Sequence, residues 1–336
     1  MKGFIEKIPK AELHLHIEGT FEPELMFEIA QRNKVRIPYK SIDKLKAAYD
    51  FNNLQEFLNI YYTGCNALLK EQDFYDMTMA YLKKAHQQNI LHTEIMFDPQ
   101  THTRRRIPFK TVITGIQRAR KDAKKDFGIS TKLIMCFLRH LDEEAAFKTL
   151  EEAQPFYNQI DAVGLDSSEI GHPPSNFERV FKKARAEGYL LVAHAGEEGP
   201  AEYVWEALNL IKVDRIDHGN HSLEDNRLVQ ELVTKKMPLT VCPLSNLKLK
   251  VVKDISDHPL KKMMQKGLFV TVNSDDPAYF GGYVNENYLA IQQALELTRE
   301  DIIQLAKNSF EASFLNNTDK KKCISQVEEF VNSYSD

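Results

Sequence analysis

Several features that would assign a protein to a class at once are scarce or absent from this sequence of 336 residues. There are only four cysteines, widely spaced and without a C-x-x-C pair, and Cys136 and Cys242 lie in apolar runs, so reduced and buried thiols are expected. No apolar run approaches the roughly 18 residues that a membrane span needs. The first residues contain no apolar segment typical of a secretory signal. These absences predict a globular protein of the cytoplasm that does not enter a membrane.

Charge of one sign is not in excess. The chain carries 44 lysines and arginines against 48 acidic residues, a net charge of -4, which argues against a nucleic-acid or anionic-membrane partner. An RNA-binding protein that uses Arg104–Arg106 and the lysines at 121, 124 and 125 is a competing class, but no recognised RNA-binding module accompanies these residues. We expect the arginine run to lie in a solvated loop or to pair with acidic neighbours.

Several catalytic motifs are also missing. The sequence has no Gly-x-Ser-x-Gly, Walker A or Gly-x-Gly-x-x-Gly motif, which removes the usual signals of a hydrolase elbow, a P-loop and a dinucleotide fold. His16-Ile-Glu18 has the H-x-E pattern of cytidine-type deaminases, but the P-C-x-x-C segment that should accompany it is absent. No repeat or Gly/Ser-rich linker divides the chain, and residues 1–336 are therefore interpreted as one domain.

What the sequence does contain is a regular alternation of strand-like and helical segments. Eight apolar, β-rich runs are predicted as strands, at residues 11–17, 90–97, 131–138, 160–165, 189–193, 215–216, 238–242 and 268–272. Helical patterns separate them, beginning with a helix that Pro23 opens. Such alternation predicts a parallel sheet, either doubly wound or closed into a barrel.

The positions of the polar residues favour the barrel. At least five of the eight strands end in His, Asp or Glu, and a (β/α)8 TIM barrel brings all its strand ends to one rim, whereas an open sheet gathers them at a single crevice. The remaining length is predicted as a helical insertion after strand 1 and extra C-terminal helices, one of them opened by a capping box at Thr298–Asp301. Within the insertion, an apolar stripe (Leu54, Phe57, Leu58 and Tyr61) either covers the pocket as a lid or packs against the barrel, and the second role is more usual for such stripes.

Four strand-end residues form a candidate metal site. His14 and His16 are two apart on a strand and project from the same face, so both can ligate one ion. His194 and Asp275, at the ends of two other strands, complete a set of three imidazoles and one carboxylate, which suits Zn²⁺ with a position left for water. Isolated histidines elsewhere are interpreted as structural: His86, His92, His102, His140, His221 and His258.

Three further polar residues then acquire roles. Zinc lowers the pKa of a bound water, and His218 is placed to accept or hold that water's proton. Glu197 is placed to protonate a substrate nitrogen, and Asp276 to orient the substrate or the water. Glu197 as a first-turn helix acid and Asp275-Asp276 as a helix cap are the structural alternatives. In combination, the residues favour hydrolytic attack at a C–N centre.

Five motifs, in order along residues 9 to 290, resemble those of the adenosine/adenine deaminase family. They are His14-x-His16-x-Glu18-Gly19, Val163-Gly164-Leu165-Asp166, His194-Ala195-Gly196-Glu197, Asp217-His218-Gly219 and Ser274-Asp275-Asp276-Pro277. The resemblance implies a TIM barrel with one zinc ion per chain that deaminates a small aminopurine by attack of water at C6.

The same resemblance implies a role for each matched residue. His14, His16, His194 and Asp275 would bind zinc, Glu197 would donate a proton to N1 of the purine, and His218 would deprotonate or orient the water. Asp276 would bond the N7 region. The backbone N–H of Gly164 would bond the N3 region.

Two departures from the adenosine-type pattern resemble the adenine branch of the family. Glu18 stands where adenosine deaminases typically carry Asp, and we expect the longer side chain to project into the space that a ribose needs. The segment Ser167–Pro174 contains Glu169, whose carboxylate could bond the N9–H that only a free base has, although a structural role is equally consistent. Deamination of adenine to hypoxanthine and ammonia, a purine-salvage reaction, is therefore expected, with adenosine or an N6-substituted adenine as the alternative substrate.

Overall fold

The structure, a computed structural model, describes residues 1–334. Eight strands are present: β1 (Lys10–His16), β2 (Ile90–Phe97), β3 (Ser130–Leu138), β4 (Ala162–Asp166), β5 (Leu190–Ala195), β6 (Arg215–His218), β7 (Pro238–Val241) and β8 (Phe269–Val272). The helices up to β4 are α1 (Lys2–Lys7), α2 (Pro23–Arg32), α3 (Ile42–Ala47), α4 (Leu54–Cys65), α5 (Glu71–Gln87), α6 (Pro99–Thr103), α7 (Phe109–Phe127) and α8 (Glu143–Ala153). Those that follow are α9 (Glu178–Ala186), α10 (Ala201–Asn209), α11 (Asn226–Lys235), α12 (Pro243–Lys248), α13 (Leu260–Gln265), α14 (Pro277–Phe280), α15 (Val284–Leu295), α16 (Arg299–Glu311) and α17 (Asn317–Ser333).

The strands form one parallel sheet in which spatial order follows chain order from β1 to β8. A parallel bridge between Leu15 and Asp275 joins β1 to the residue that follows β8 by three positions. The His16 N–H donates to the Asp275 carbonyl, and the Asp275 N–H donates to the His14 carbonyl. These contacts close the ring, and the predicted (β/α)8 TIM barrel is confirmed.

The predicted helical additions are also present. The insertion after β1 consists of α2 to α5, in which Ser41 caps α3 and Asn53 caps α4 through their side-chain oxygens. At the C-terminal end, α15 to α17 follow the last strand, and Thr298 and Asp301 form the predicted capping box of α16. The insertion extends over the rim where the strands end.

Buried side chains fill both the barrel and the layer between strands and helices. Inside the barrel a small cluster forms from Met96, Ile134, Cys136, Ala162 and Val192. A much larger apolar cluster lies between the strands and the surrounding helices. Cys136 and Cys242 are buried free thiols, as predicted. Within residues 1–334, no helix is long and apolar enough to cross a membrane.

Candidate active site

The four predicted metal ligands meet at the C-terminal rim of the barrel. His14 and His16 project from β1, His194 from β5, and Asp275 from the turn after β8, and all four are nearly inaccessible to solvent. The Nε2 atom of His194 lies 3.1 Å from that of His14 and 3.2 Å from that of His16. The Oδ1 atom of Asp275 lies 3.4 Å and 3.5 Å from the same two nitrogens. Three imidazoles and a carboxylate therefore converge on one small volume.

The hydrogen bonds behind the imidazoles suit metal ligation. The Thr240 hydroxyl donates its proton to Asp217 Oδ1 at 2.7 Å, so the contact of 2.9 Å between His14 Nδ1 and Thr240 Oγ1 requires the imidazole to donate. A proton on Nδ1 leaves the lone pair of His14 on Nε2, facing His194. His16 is oriented similarly, with its Nδ1 3.4 Å from Asp166 Oδ2. The donor set and its supports thus fit a divalent ion such as Zn²⁺.

Asp217 and Arg215 are site residues to which the sequence assigned no role. Asp217 is fully buried and places one oxygen 3.8 Å from His14 Nδ1 and the other 3.7 Å from His194 Nδ1. The Arg215 guanidinium lies 3.6 Å from Asp217 and donates to Glu94 and to the Leu13 carbonyl. Asp217 belongs to the motif Asp217-His218-Gly219, which is the one signal that could have identified it.

Glu197 and His218, to which the sequence analysis gave proton-transfer roles, lie beside the converging atoms of the predicted ligands. The Nε2 atom of His218 is 3.5 Å from Glu197 Oε2 and 4.0 Å from Asp275 Oδ2. Burial, assisted by the Asp275 carboxylate, raises the pKa of Glu197 well above its usual value. Glu197 can therefore hold a proton near neutral pH, as a general acid must. His218 also forms a compact group of possible ligands with His14, His194 and Asp275, whose atoms all lie within 4.8 Å of one another, and His16 is not part of that group.

Three residues at this rim adopt the left-handed backbone conformation although none is glycine. They are Ser167 with φ 77°, His218 with φ 66° and Asp275 with φ 64°. Such conformations are uncommon outside glycine and concentrate at functional sites, because the surrounding structure must hold them in place. At each of the three strand ends the chain is turned so that a polar side chain faces the cavity.

Asp276 lines the cavity next to the ligand Asp275. A Cβ atom at Gly19 would lie 2.0 Å from Asp276 Oδ1 and 2.7 Å from its Cα. The glycine of the first motif is therefore required for β1 and the turn after β8 to come together. This contact joins the two motifs that contribute most to the site.

Glu18 does not project into the cavity as the sequence analysis expected. It is fully buried, and its Oε1 accepts hydrogen bonds from His102 Nε2 at 2.8 Å and from the Asp98 backbone N–H at 3.3 Å. His102 is oriented in turn by Arg105, whose Nη2 donates to His102 Nδ1 at 2.9 Å. The steric hypothesis for Glu18 is not supported by this orientation, which makes Glu18 a support for the end of β2. Arg105 is partly buried and also donates a hydrogen bond to the Leu68 carbonyl, whereas Arg104 and Arg106 are exposed.

Glu169 is also used differently from the prediction. Its carboxylate accepts four backbone N–H groups of the loop after β5, from Gly196 at 2.7 Å, Glu197 at 3.0 Å, and Glu198 and Gly199 at 2.8 Å each. Both oxygens are occupied in this way, so the geometry does not support a bond from Glu169 to a purine N9–H. The structural alternative accounts for this residue.

Gly164 lies inside β4, paired with Cys136, rather than at the cavity. A Cβ atom there would lie 2.6 Å from Cys136 Sγ and 3.2 Å from Val192. Its absent side chain is explained by crowding in the barrel interior. The expectation that its N–H bonds the purine N3 is not supported by this position.

Side chains of α4 line the cavity. It has a volume of about 40 Å³, room for a few water molecules. The apolar side chains above it come from α4 and its neighbours: Leu54, Phe57, Leu58, Tyr61, Tyr62, Leu249 and Phe280. The apolar stripe of the insertion therefore lines one wall of the cavity.

Comparisons with known proteins agree with this geometry. The family model described as adenosine deaminase matches residues 9–330. An adenine deaminase of Acinetobacter baylyi is 63% identical over 323 residues, covering 96% of this chain and 97% of that protein. Among solved structures, an adenine deaminase from Arthrobacter aurescens superposes with a TM-score of 0.96 at 47% identity, covering 97% of this chain and 100% of the other. An amidohydrolase from Burkholderia ambifaria with bound zinc has a TM-score of 0.90 at 26% identity, covering 99% and 94%.

Proposed function

Because this chain belongs to the adenosine deaminase family, we propose that it hydrolyses adenine to hypoxanthine and ammonia. The reaction forms a bond between a water oxygen and C6 of the purine and breaks the bond between C6 and the amino nitrogen. The observation that carries the proposal is the convergence of His14, His16, His194 and Asp275 beside Glu197 and His218 in one buried cavity. The names of the full-length relatives support adenine as the substrate.

His14, His16, His194 and Asp275, whose ligating atoms lie 3.1 to 3.5 Å apart, would hold one Zn²⁺ ion per chain. When bound, such an ion lowers the pKa of a water ligand to near neutrality. The proposal of zinc is supported by the nitrogen-rich donor set and by the zinc in the amidohydrolase relative.

The side chains around the ligands divide the proton transfers between them. Glu197 donates a proton to N1 of adenine, which makes C6 more electrophilic. His218 accepts the proton that the attacking water loses. Because His218 lies close to Glu197 and Asp275, the protonation of His218 and the deprotonation of Glu197 both take place in the same buried cavity. Asp276 bonds the N7 side of the base and so fixes which atom faces the water.

Absorbance spectroscopy tests the proposal directly. Zinc-loaded protein is mixed in parallel with adenine, adenosine and an N6-alkyl adenine, and the conversion of each is followed in the ultraviolet. Fast conversion of adenine alone is the expected result. Preferential conversion of adenosine or of the N6-alkyl adenine would replace the substrate while keeping the mechanism, and no conversion of any of them would refute the proposed activity.

The role of Glu197 has its own test. Glu197→Gln preserves the size of the side chain but removes the proton that it donates, so we expect kcat for adenine to fall by at least 10²-fold, the usual contribution of a general acid. The metal content, measured by atomic emission, should stay at the wild-type value because Glu197 is not a ligand. Near-normal activity of this variant would mean that another group protonates N1.

The setting of the reaction follows from the same proposal. Conversion of a free purine base to hypoxanthine is a salvage reaction, and we propose that it takes place in the cytoplasm. We also propose that residues 1–336 form a single domain, in keeping with the one closed sheet between residues 10 and 272. Arg105 donates to the carbonyls of Asn66 and Leu68 as well as to His102, so the arginine run offers less free positive charge to an RNA than its sequence indicates.

A further inference from the structure

The order of the strands determines which wall of the cavity faces each edge of a bound adenine. Under the proposed function, N1 faces Glu197 after β5 and N7 faces Asp276 after β8. Since C6 lies between N1 and N7 around the purine, it faces the rim at β6 and β7, where His218 projects. The opposite edge of the base carries N3 and N9. In a ring of eight strands, the wall opposite β6 and β7 is formed by the ends of β2 and β3.

Asp98 is the polar residue that follows β2, and it lines the cavity while only 3% of its surface is exposed. The Tyr61 hydroxyl donates to its Oδ2 at 3.1 Å. No N–H or hydroxyl group in residues 1–334 donates to its Oδ1. The Asp98 backbone is fixed by Glu18, as described above. The Asp98 carboxyl is therefore buried and fixed in position, and its Oδ1 accepts no hydrogen bond from an N–H or hydroxyl group of residues 1–334.

A second carboxyl beside Asp98 increases the need for a donor. Asp166 contributes an oxygen within 4.8 Å of one from Asp98 and of a ring nitrogen of His16. The groups nearest to Asp166 are His16, whose Nδ1 lies 3.4 Å from Oδ2, and Asp98, with which it can share one proton, and these supply fewer donors than the four oxygens of the two carboxyls can accept. Buried oxygens without donors are costly, and a ligand that brings an N–H to this wall would relieve the cost.

We propose that Asp98 is the specificity-determining residue of this site, and that its Oδ1 accepts the N9–H of adenine. The inference rests on the proposed function and deepens it by naming how the free base is distinguished from a nucleoside. In a nucleoside N9 carries a sugar carbon and has no hydrogen, so Asp98 would be desolvated against it without a hydrogen bond. A site built to bond an N–H rejects an analogue that lacks it far more strongly than an apolar site rejects added bulk. Asp98 thus takes the role that the sequence analysis considered for Glu169.

The test compares adenine with 9-methyladenine, which differs from adenine only at N9. The wild type should prefer adenine strongly. Asp98→Ala should lower kcat/KM for adenine by about 10- to 100-fold, the effect of losing a hydrogen bond to a charged group, and should leave 9-methyladenine almost unchanged. Ser167→Ala is the matched control, because Ser167 also lines the cavity but bonds Tyr62 and His140. In this control the ratio between the two substrates should stay at the wild-type value.

Product binding gives a second readout that does not depend on turnover. By calorimetry, Asp98→Ala should weaken hypoxanthine binding by a similar factor and leave 9-methylhypoxanthine unaffected. Equal losses for the N9–H and N9-methyl compounds would overturn the inference, since they would show a general role for Asp98. A fall from two metal ions per chain to one in Asp98→Ala would overturn it too, because the acidic cluster would then be a second cation site.

A conservative variant keeps the test decisive if Asp98→Ala does not fold. In Asp98→Asn the side-chain oxygen can retain the bond from Tyr61, which turns the amide N–H₂ towards N9–H, so the preference for adenine should again collapse. A wild-type preference in that variant would contradict the role of Asp98. If the wild type itself does not convert adenine, the proposed function fails, and the two products then test Asp98 by binding alone.

Discussion

At the scale of single residues, the carboxylate of Glu169 organises the loop that carries Glu197. Four consecutive N–H groups, from Gly196 to Gly199, donate to its two oxygens. A Cβ atom at Gly199 would lie 2.6 Å from Glu169 Oε1, so the loop is wrapped closely around this side chain. Glu169 therefore acts on the reaction through the position of Glu197.

Glu169→Gln should uncouple that loop from its support. The amide can present only one oxygen to the four N–H groups and directs its own N–H₂ at some of them, so Glu197 should lose its fixed position. We expect kcat for adenine to fall by about 10- to 100-fold with a smaller change in KM, since a displacement of about 1 Å at a catalytic group has effects of this size.

Glu202→Gln is the control for Glu169→Gln, because it neutralises an exposed acid in the first turn of α10, just after the same loop. It should remain close to wild type in kcat. Metal content should be unchanged in both variants. A Glu169→Gln enzyme with wild-type kcat, or one whose loss lies entirely in KM, would show that Glu169 does not position Glu197.

Single residues were predictable where spacing alone determines direction. His14 and His16 alternate along one strand, and so their common face followed from the sequence. The sequence could not give the orientation of Glu18 and Glu169, because a carboxylate beside the site can face the substrate or the backbone, and only the three-dimensional course of the loops decides between these. It could not give the depth of Gly164 for a related reason: its position within β4 depends on where the strand begins.

At the scale of elements, α4 determines access to the site. Its apolar side is turned to the cavity, and Phe57 packs against Tyr61, Tyr279 and Phe280 with ring centroids 4.7 to 5.5 Å apart. The Tyr62 hydroxyl lies 3.1 Å from Ser167 Oγ, which joins the helix to the loop after β4. The helix therefore combines the two roles that its sequence left open, packing and covering.

Phe57→Ala should damage the cover and the stability of its packing together. Loss of a buried phenylalanine costs about 3–5 kcal/mol, and the loosened wall of the cavity should admit water, so we expect kcat/KM for adenine to fall about tenfold or more. Phe4→Ala in α1 is the matched control, since that ring is also buried and packs on Phe330 and Tyr334, away from the cavity. Thermal unfolding and kcat/KM are measured for both variants. If both lose kcat/KM to the same extent, the effect of Phe57 is one of general stability and α4 is not a cover.

The elements themselves followed well from the sequence, with errors that have physical causes. All eight strands were predicted. Most of the predicted strand ends differ from the observed ends by one or two residues, because the side chains at the rim are polar both in the last residues of a strand and in the loop that follows it. The short helices α6, α12 and α14 were not foreseen. Each begins with a proline directly after a strand end, at Pro99, Pro243 and Pro277, where the ring suits the first position of a helix.

At the scale of the whole molecule, the contacts that close the barrel also bring the predicted metal ligands together. The bridge between Leu15 and Asp275 brings the ligands of β1 next to the ligand that follows β8. The alternation of the sequence was sufficient to predict this closure. It was not sufficient to predict fully buried charged residues on the strands, such as Lys10 and Arg215, because a strand that alternates polar and apolar residues usually has one face in water.

Acid stability should reveal a buried histidine outside the site. Burial lowers the pKa of His258 to about 3, and its ring is held neutral by two bonds: the Leu260 N–H donates to Nδ1 at 3.2 Å, and Nε2 donates to Asn246 at 3.1 Å. In the unfolded chain this group titrates near pH 6.5. Between about pH 3 and 6.5 the unfolded state therefore binds a proton that the folded state does not. Stability falls as the pH falls through this window, by up to about 1.4 kcal/mol per pH unit from this residue.

His258→Asn removes the titrating ring while its oxygen can keep the bond to the Leu260 N–H. At pH 7 the variant should be less stable than the wild type by about 1 kcal/mol, since the bond to Asn246 is lost. On acidification from pH 7 to 5, the wild type should lose about 2 kcal/mol more than the variant, so that the order of their stabilities reverses. Urea unfolding midpoints measured with excess zinc at each pH decide the matter, because metal release affects both proteins alike and cancels in their difference. Parallel loss of stability in the two proteins would show that His258 does not resist protonation in the folded state, and that the acid sensitivity of this barrel arises elsewhere.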